Sequence, residues 1–335
     1  MTYRICLIEG DGIGHEVVPA GRRLLEATGL PIAFIQAEAG WATFQRTGTA
    51  LPEETLRAVK DADAALFGAV SSPLEPTEGY HSPIVGLRRV LQLYANLRPA
   101  VSYPVPGARE GVDLLIVREN SEGLYSGRER SDGQEAITER VITREASERV
   151  VRMAFRQAER RRGHVTVVHK ANVLRTTCGL FREAALDVAK EFPEIQVKEV
   201  LVDAMAMHLV RSPEQFDVVV TTNLFGDILS DEAAGLVGGL GLVASANMGD
   251  RRAVFEPVHG SAPDIAGQSI ANPVATFFSV SMLLDYLGEE NVATRVRGAV
   301  EYVLRFGPWT PDLGGGATTG EVTQAVIDRL RSGQE

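Results

Sequence analysis

The chain is 335 residues long and carries 34 Lys+Arg against 44 Asp+Glu, a formal net charge of −10. Hydrophobic residues at 44% and charged residues at 23% exclude a disordered or low-complexity chain. The acidic balance argues against a nucleic-acid or anionic-membrane partner, which needs a basic surface, but leaves room for local basic sites that hold small anions.

In chain order, short apolar runs rich in β-branched residues alternate with amphipathic helical patterns, the mark of an α/β protein. MTYRICLIEGDG enters a strand at once, without the basic and long apolar regions of a secretory signal. Strands are expected at Arg4–Ile8, Ala64–Val70, Val112–Val117, Val165–His169, Val197–Val202 and Asp217–Thr222. Helices are expected at Gly14–Thr28, Pro52–Asp61, Ser147–Arg161, Gly179–Phe192, Pro273–Leu287 and Val292–Leu304. Two prolines and a glycine in Pro99–Arg109 suggest a crossing between domains. No run approaches the ~18 apolar residues of a membrane span. Cys6 and Cys178 are too few for a disulfide scaffold, and Cys6 reads as an inert core thiol. A soluble, cytoplasmic protein of a reducing compartment is the expectation.

Each strand is followed by polar groups: Glu9 and Asp11, Ser71 and Ser72, Arg118 to Asn120, Lys170 and Asn172, Asp203, Asn223 and Asp227. Open α/β sheets bind ligands beyond the carboxyl ends of their strands, so these six ends are expected to assemble one site. Asp227 and Asp231 lie one turn apart on a helix and interrupt an apolar segment. Like charges at that spacing repel unless a cation sits between them, and hard divalent ions such as Mg²⁺ take carboxylate oxygens. Asp203, at the end of its strand, is a plausible third ligand. Arg88, Arg98 and Arg118 suit bidentate contacts to a small polyanion, either a di- or tricarboxylate or a phosphate ester. Lys170 and Tyr125 are the candidate acid–base pair.

Two glycine-rich stretches remain. EGDGIGHE (Glu9–Glu16) follows a strand and opens a helix, but its G-x-G-x-G spacing is not the dinucleotide fingerprint. No acidic residue clearly ends a second strand about 20 residues on, so a Rossmann fold is not expected. In HGSAPDIAGQSIANP (His259–Pro273), backbone N–H groups suit a nucleotide, and Asp264 suits ribose hydroxyls while repelling a 2′-phosphate.

In combination, GDGIG, RENSEGLY (Arg118–Tyr125), HKAN (His169–Asn172), GDILSD and HGSAPDIAG resemble the β-decarboxylating dehydrogenases of 2-hydroxy acids. These act on isocitrate, 3-isopropylmalate or homoisocitrate, and the wording is most similar to the bacterial homoisocitrate branch. The resemblance covers essentially the whole chain. It implies a two-domain α/β fold with a mixed sheet flanked by helices. Residues 1–99 and 251–335 would form the large domain and 100–250 the small one, with an arm over about 126–141 clasping a second subunit.

It further implies that Arg88, Arg98 and Arg118 hold the substrate, together with Ser72, Val85, Tyr125, Lys170 and Asn172. Asp227, Asp231 and the partner's Asp203 would bind Mg²⁺ or Mn²⁺. Lys170, also from the partner, would take the hydroxyl proton, and Tyr125 would protonate the enol carbon. The cofactor would lie against Ile13, Val70, Ser71, Ser72, Asn172, His259, Gly260, Ser261, Ala262, Pro263, Asp264, Ile265 and Asn272. Asp264 and Ile265 match the NAD-preferring members. A homodimer, possibly paired into a tetramer, follows from the shared sites.

Substrate choice would be read around Ser71–Arg88. Ser72 matches homoisocitrate and isocitrate enzymes and Ser82 sits where isocitrate enzymes carry a substrate serine, yet Ile84 replaces their asparagine and Val85 the arginine of thermophilic homoisocitrate enzymes that also use isocitrate. An apolar Ile84–Val85 pair suits an isopropyl group, while His81 or Tyr80 offers a hydrogen bond to the longer homoisocitrate arm. Homoisocitrate is expected first, as in lysine biosynthesis through aminoadipate, then 3-isopropylmalate, then isocitrate. A metal-dependent phosphatase or kinase would have no use for the HGSAPDIAG loop. A non-catalytic subunit of the same fold would tend to lose Tyr125, Lys170 or the aspartates, all of which are present.

Overall fold

The computed structural model describes residues 2–73, 75 and 77–333. Leu74 and Pro76, in the segment expected to read the substrate, lie outside the described residues. The strands are β1 (Tyr3–Gly10), β2 (Ile32–Ala37), β3 (Ala64–Ala69), β4 (Ala95–Val101), β5 (Asp113–Glu119), β6 (Glu129–Ser131), β7 (Ala136–Thr138), β8 (His164–His169), β9 (Gln196–Leu201), β10 (Val218–Thr221), β11 (Ala244–Met248) and β12 (Ala253–Pro257). The helices are α1 (Gly14–Ala27), α2 (Trp41–Thr47), α3 (Glu53–Asp61), α4 (Pro83–Val90), α5 (Arg144–Glu159), α6 (Thr177–Ala189), α7 (Val202–Arg211), α8 (Asn223–Leu236), α9 (Val274–Tyr286), α10 (Glu290–Phe306) and α11 (Thr319–Ser332). Every element expected from the sequence is present, with ends shifted by at most three residues.

Ten strands form one sheet in the order β2-β1-β3-β12-β11-β4-β5-β10-β8-β9, while β6 and β7 pair separately as an exposed hairpin. The flank β2-β1-β3-β12 is parallel, and so is the flank β5-β10-β8-β9. Between them lie three antiparallel junctions, β12–β11, β11–β4 and β4–β5. An odd number of reversals makes the two flanks run in opposite directions. The carboxyl ends of β1 and β3 therefore sit at one edge of the sheet and those of β5, β8 and β10 at the other. This corrects the expectation that six strand ends share one crevice.

Pro99, at the start of the segment read as a domain crossing, lies inside β4. It is accommodated because β11 pairs with β4 only at Ala95, Asn96 and Leu97, so no ladder partner is lost at Pro99 on that side. β2 was also not expected; it ends directly before Glu38, an acid at the close of a second strand. The antiparallel centre still separates this sheet from a doubly wound Rossmann sheet.

Alternation along the strands divides the residues between two faces. On one face Leu7, Leu66, Phe255, Ala246, Leu97, Val117, Val220 and Val167 are buried in a single row across the sheet. This row packs under α1, α5, α6, α9, α10 and α11 in one continuous core. The opposite face is divided. Cys6, Ile8, Phe67 and Val254 pack against Val59 of α3 and Leu87 of α4. Leu114, Ile116, Val168 and Val219 pack against Met205 of α7 and Leu229 of α8. Between these two apolar patches the sheet presents Asn96, Arg98, Arg118, Ser245, Asn247 and Glu256. That polar stripe is where the candidate site lies.

Candidate active site

The stripe is a closed set of charge-assisted hydrogen bonds. Arg88 enters from α4, buried; its Nε donates to Asn247 Oδ1 (2.9 Å) and its Nη2 pairs with Glu256 (3.2 Å). Arg98 donates from Nε to Asn96 Oδ1 (2.6 Å) and from Nη1 to Ser230 Oγ (2.7 Å) and Asp231 Oδ1 (3.0 Å). Its Nη1 also lies 3.3 Å from Asp227. Arg118, 2% exposed, forks onto Asn223 Oδ1 (3.1 and 2.7 Å) and pairs with Asp227. Tyr125 Oη donates to Asp227 Oδ2 (2.7 Å), and the Arg118 guanidinium stands 5.2 Å from the Tyr125 ring.

The local sequence explains the placement. Asn96 and Arg98 are two residues apart on one strand, so both project to the same face. Asp227 and Asp231 share one face of α8, whose Gly226 backs onto Arg118: a Cβ there would lie 2.7 Å from the Arg118 side chain. Burial, and then the neighbouring Arg98, push the Arg118 pKa down to about 10, with Asp227 opposing. It stays protonated at neutral pH. Burial tends to raise the Asp227 carboxyl, but Arg118, Tyr125 and the other arginines outweigh it and hold it below the usual range. Asp231 shifts the other way, because burial outweighs Arg98.

Lys170 and Asp203 are paired with each other, apart from this cluster. Asp203 lies in the first turn of α7 rather than at a strand end, 64% exposed, and its hydrogen bond to Lys170 holds its carboxyl below the ordinary value. Among the described residues, no three His, Cys, Asp or Glu side chains come together as a metal-binding group. One chain thus brings Asp227 and Asp231 together but not Asp203. Asn172 is exposed on the loop after Lys170.

The two glycine-rich stretches meet. Ile13 N–H donates to Ser261 O (2.9 Å), and Ser71 Oγ donates to Ser261 Oγ (2.8 Å). Gly12, at φ 55°, is required by this contact, since a Cβ there would lie 2.1 Å from Ser261 O. Asp11 accepts from the backbone N–H groups of Trp41 (2.7 Å), Ala42 (3.0 Å) and Ser71 (2.9 Å). Ile13 packs with Ala262 and Ile265 in a small apolar cluster. Gly260, Pro263 and Asp264 are exposed, whereas Asn272 is buried and donates to Asp312 (2.9 Å). A cavity of about 230 Å³ joins the two halves of the site, lined by Val70, Ser72, Ile84, Arg88, Arg98, Glu256, His259 and Gly260.

Tyr80 is not available to a substrate arm. Its hydroxyl donates to Ser71 O (2.9 Å), and its ring stands edge-on to Trp41 and Phe44, 5.3 Å from each. His81 is exposed. The sequence reading also missed several holders of the arginines, the neutral Asn96, Ser230 and Asn247 and the acidic Glu256, and it named Asn223 as a strand-end group but not as the partner of Arg118. Of those missed, only Asn96 carried a signal, its two-residue spacing from Arg98.

The sheet and this cluster define an enzyme class. The sequence profile described as "Isocitrate/isopropylmalate dehydrogenase" matches residues 4–326, and the chain belongs to that family of β-decarboxylating dehydrogenases. It is 60% identical over 333 residues to the isocitrate/homoisocitrate dehydrogenase of Thermus thermophilus, covering 99% of this chain and 100% of that one. It is 52% identical to the 3-isopropylmalate/3-methylmalate dehydrogenase of Methanocaldococcus jannaschii, with 98% and 99% covered. The crystal structure of isocitrate dehydrogenase from Methylococcus capsulatus superposes with a TM-score of 0.94 at 45% identity, over 98% of this chain and 99% of that one. The family resemblance and the fold class read from the sequence are both borne out.

Proposed function

We propose that the chain catalyses the NAD-dependent oxidative decarboxylation of homoisocitrate to 2-oxoadipate and CO₂, a step of lysine biosynthesis through aminoadipate. Side activity on 3-isopropylmalate and weaker activity on isocitrate are part of the proposal. The observation that carries it is the contact set Arg98–Arg118–Asp227–Tyr125, which joins anion-binding guanidiniums, a carboxylate and a phenol by direct contacts. The 60% relative, named for isocitrate and homoisocitrate, supports the choice of substrate.

Asp227 and Asp231 offer oxygen-only donors on one helix face, which fits Mg²⁺ or Mn²⁺; Asp203 of the partner subunit would complete the set. The exposed Asp264 fits the adenosine ribose of NAD and disfavours a 2′-phosphate. Bound there, NAD would supply a hydride acceptor and the divalent ion Lewis-acid stabilisation of developing negative charge. The chain's own work is positional and protolytic. Arg88, Arg98 and Arg118 bind the malate-like carboxylates. Lys170 of the partner subunit takes the 2-hydroxyl proton as C2 is oxidised. Tyr125 Oη gives a proton to the carbon that loses CO₂, its hydroxyl aimed by Asp227.

A homodimer supplies the borrowed residues. Exposed apolar side chains support it: Val173, three residues after Lys170 (65% exposed), Met207 and Val210 on the helix of Asp203 (48% and 56%), and Ile228 on the helix of Asp227 (59%). The half-buried, apolar Val85 favours a second reading, 3-isopropylmalate as main substrate. The test of the reaction class is product analysis with homoisocitrate, NAD and Mg²⁺. NADH and CO₂ in equal amounts, abolished by a chelator, are expected; NADH without CO₂, or no turnover of any of the three acids, overturns it.

A further inference from the structure

Arg140 stands at the base of the exposed β6–β7 hairpin, next to Val141, which bridges to Gly123 two residues before Tyr125. Its half-buried guanidinium reaches two helices at once. Nη1 donates to Thr177 Oγ1 (2.9 Å) and Cys178 Sγ (3.1 Å) in the first turn of α6, and Nη2 donates to Thr222 Oγ1 (2.8 Å), at the residue before α8. The group also stands 5.1 Å from the Phe225 ring on α8. All of these partners are neutral, and no carboxylate pairs with Arg140 among the described residues. The Cys178 sulfur is fully buried and accepts a second bond, from the backbone N–H of Lys170 (3.3 Å). Lys170 follows β8 directly, and the next N–H, of Ala171, is taken by His169 Nδ1 (3.2 Å). The N–H of the candidate base is thus held by one sulfur, and that sulfur by one guanidinium. A neutral thiol is a weak acceptor, so its orientation depends on the charged donor beside it.

We propose that Arg140 is a positioning residue: acting through Cys178, it fixes the backbone of Lys170 and thereby sets the rate at the neighbouring subunit's site. This rests on the reading in which Lys170 takes the hydroxyl proton for its partner, and deepens it. Arg140 hydrogen-bonds none of Arg88, Arg98, Arg118, Asp227 and Asp231, so the groups that bind the substrate keep their own partners without it. A displacement of about 1 Å at a reacting group costs up to about 100-fold in rate. The other route from Arg140, through Thr222 to Asn223 and Arg118, would act on the chain's own site and on KM.

The test uses whichever of the three acids wild type turns over fastest, which frees it from the order of substrates. Arg140→Met is expected to lower kcat by about 10- to 100-fold with KM for the acid within about threefold, and Arg140→Lys to recover part of the loss. Cys178→Ala should reproduce the loss, while Cys178→Ser, whose hydroxyl accepts both donors, should keep most of the activity. In equal mixtures with subunit exchange, Arg140→Met with Tyr125→Phe should recover to about one quarter of wild-type activity, because each mixed dimer has one site with a normal Tyr125 and a well-held Lys170. Arg140→Met with Lys170→Met should stay at or below the level of Arg140→Met alone. The reverse pattern, a rise in KM without loss of kcat, or full activity of Cys178→Ala overturns the role of Arg140. So does a silent first mixture when Tyr125→Phe with Lys170→Met recovers. If that control is silent too, with mixed dimers demonstrated, the shared site falls and this role falls with it.

Discussion

Val85 and Arg88 sit one turn apart on α4, the first half-buried and apolar, the second buried and held by Asn247 and Glu256. A guanidinium at position 85 would face the short arm of isocitrate. Val85→Arg is therefore expected to raise kcat/KM on isocitrate relative to 3-isopropylmalate by about tenfold or more; an unchanged ratio removes position 85 from substrate choice. His259 carries a different signature. Burial holds its imidazole below the ordinary pKa, with the Gly260 carbonyl opposing, and its Nε2 has no partner among the described residues. The folded chain therefore disfavours the charged ring. Stability is undiminished by this group above about pH 6.5 and is lost as the pH falls through the lower folded value. Between about pH 7.5 and 5.5 the melting temperature of wild type should drop more than that of His259→Gln, which does not titrate; parallel curves would show that the ring is not desolvated. Most charged side chains of the site, though not Glu256, were legible in the sequence because their types already name a chemistry. Asn247 was not, because a neutral amide takes its meaning only from what it touches.

The loop after β1 is built around a single acceptor. Asp11 caps the start of α2 and holds Ser71, which in turn meets Ser261 of the nucleotide loop. Asp11→Ala would leave three N–H groups without their carboxylate, a loss of about 2–4 kcal/mol. A lower melting temperature and a raised KM for NAD, with kcat less affected, are expected; a fall in stability with unchanged KM would confine Asp11 to folding. β1, β3, β5, β8 and β10 were readable because their residues are buried on both faces over most of their length, which makes them apolar runs, whereas the outermost β2 is half-exposed and was not expected. The central β4, β11 and β12 were not. Their sequences, ANLRPAV, ASANM and AVFEP, place Asn, Arg, Ser and Glu on the face that lines the site. The strands that carry the polar stripe thereby lose the pattern by which strands are recognised.

At the scale of the molecule, the polar stripe sits where the sheet reverses direction, between two apolar patches of one face. The reversal itself was not visible in the sequence, since it arises from pairing between segments far apart in the chain. One chain places Tyr125 with Asp227 and Asp231, and separately Lys170 with Asp203. If each site takes Lys170 from the neighbour, Tyr125→Phe and Lys170→Met enzymes, each nearly inactive, should complement when mixed and allowed to exchange subunits. Random exchange gives half heterodimers with one intact site each, so recovery should approach about one quarter of wild-type activity. No recovery, with mixed dimers demonstrated by tagged subunits, would place both residues in one chain's site.

The central claim is the order of substrates, and initial rates of NAD reduction with Mg²⁺ test it most directly. Homoisocitrate, 3-isopropylmalate and isocitrate would be compared under identical conditions. The expected order of kcat/KM is homoisocitrate, then 3-isopropylmalate, then isocitrate. Dominance of 3-isopropylmalate would contradict it: Ile84 and Val85 would then outweigh the whole-chain resemblance, and the enzyme would belong to leucine rather than lysine synthesis.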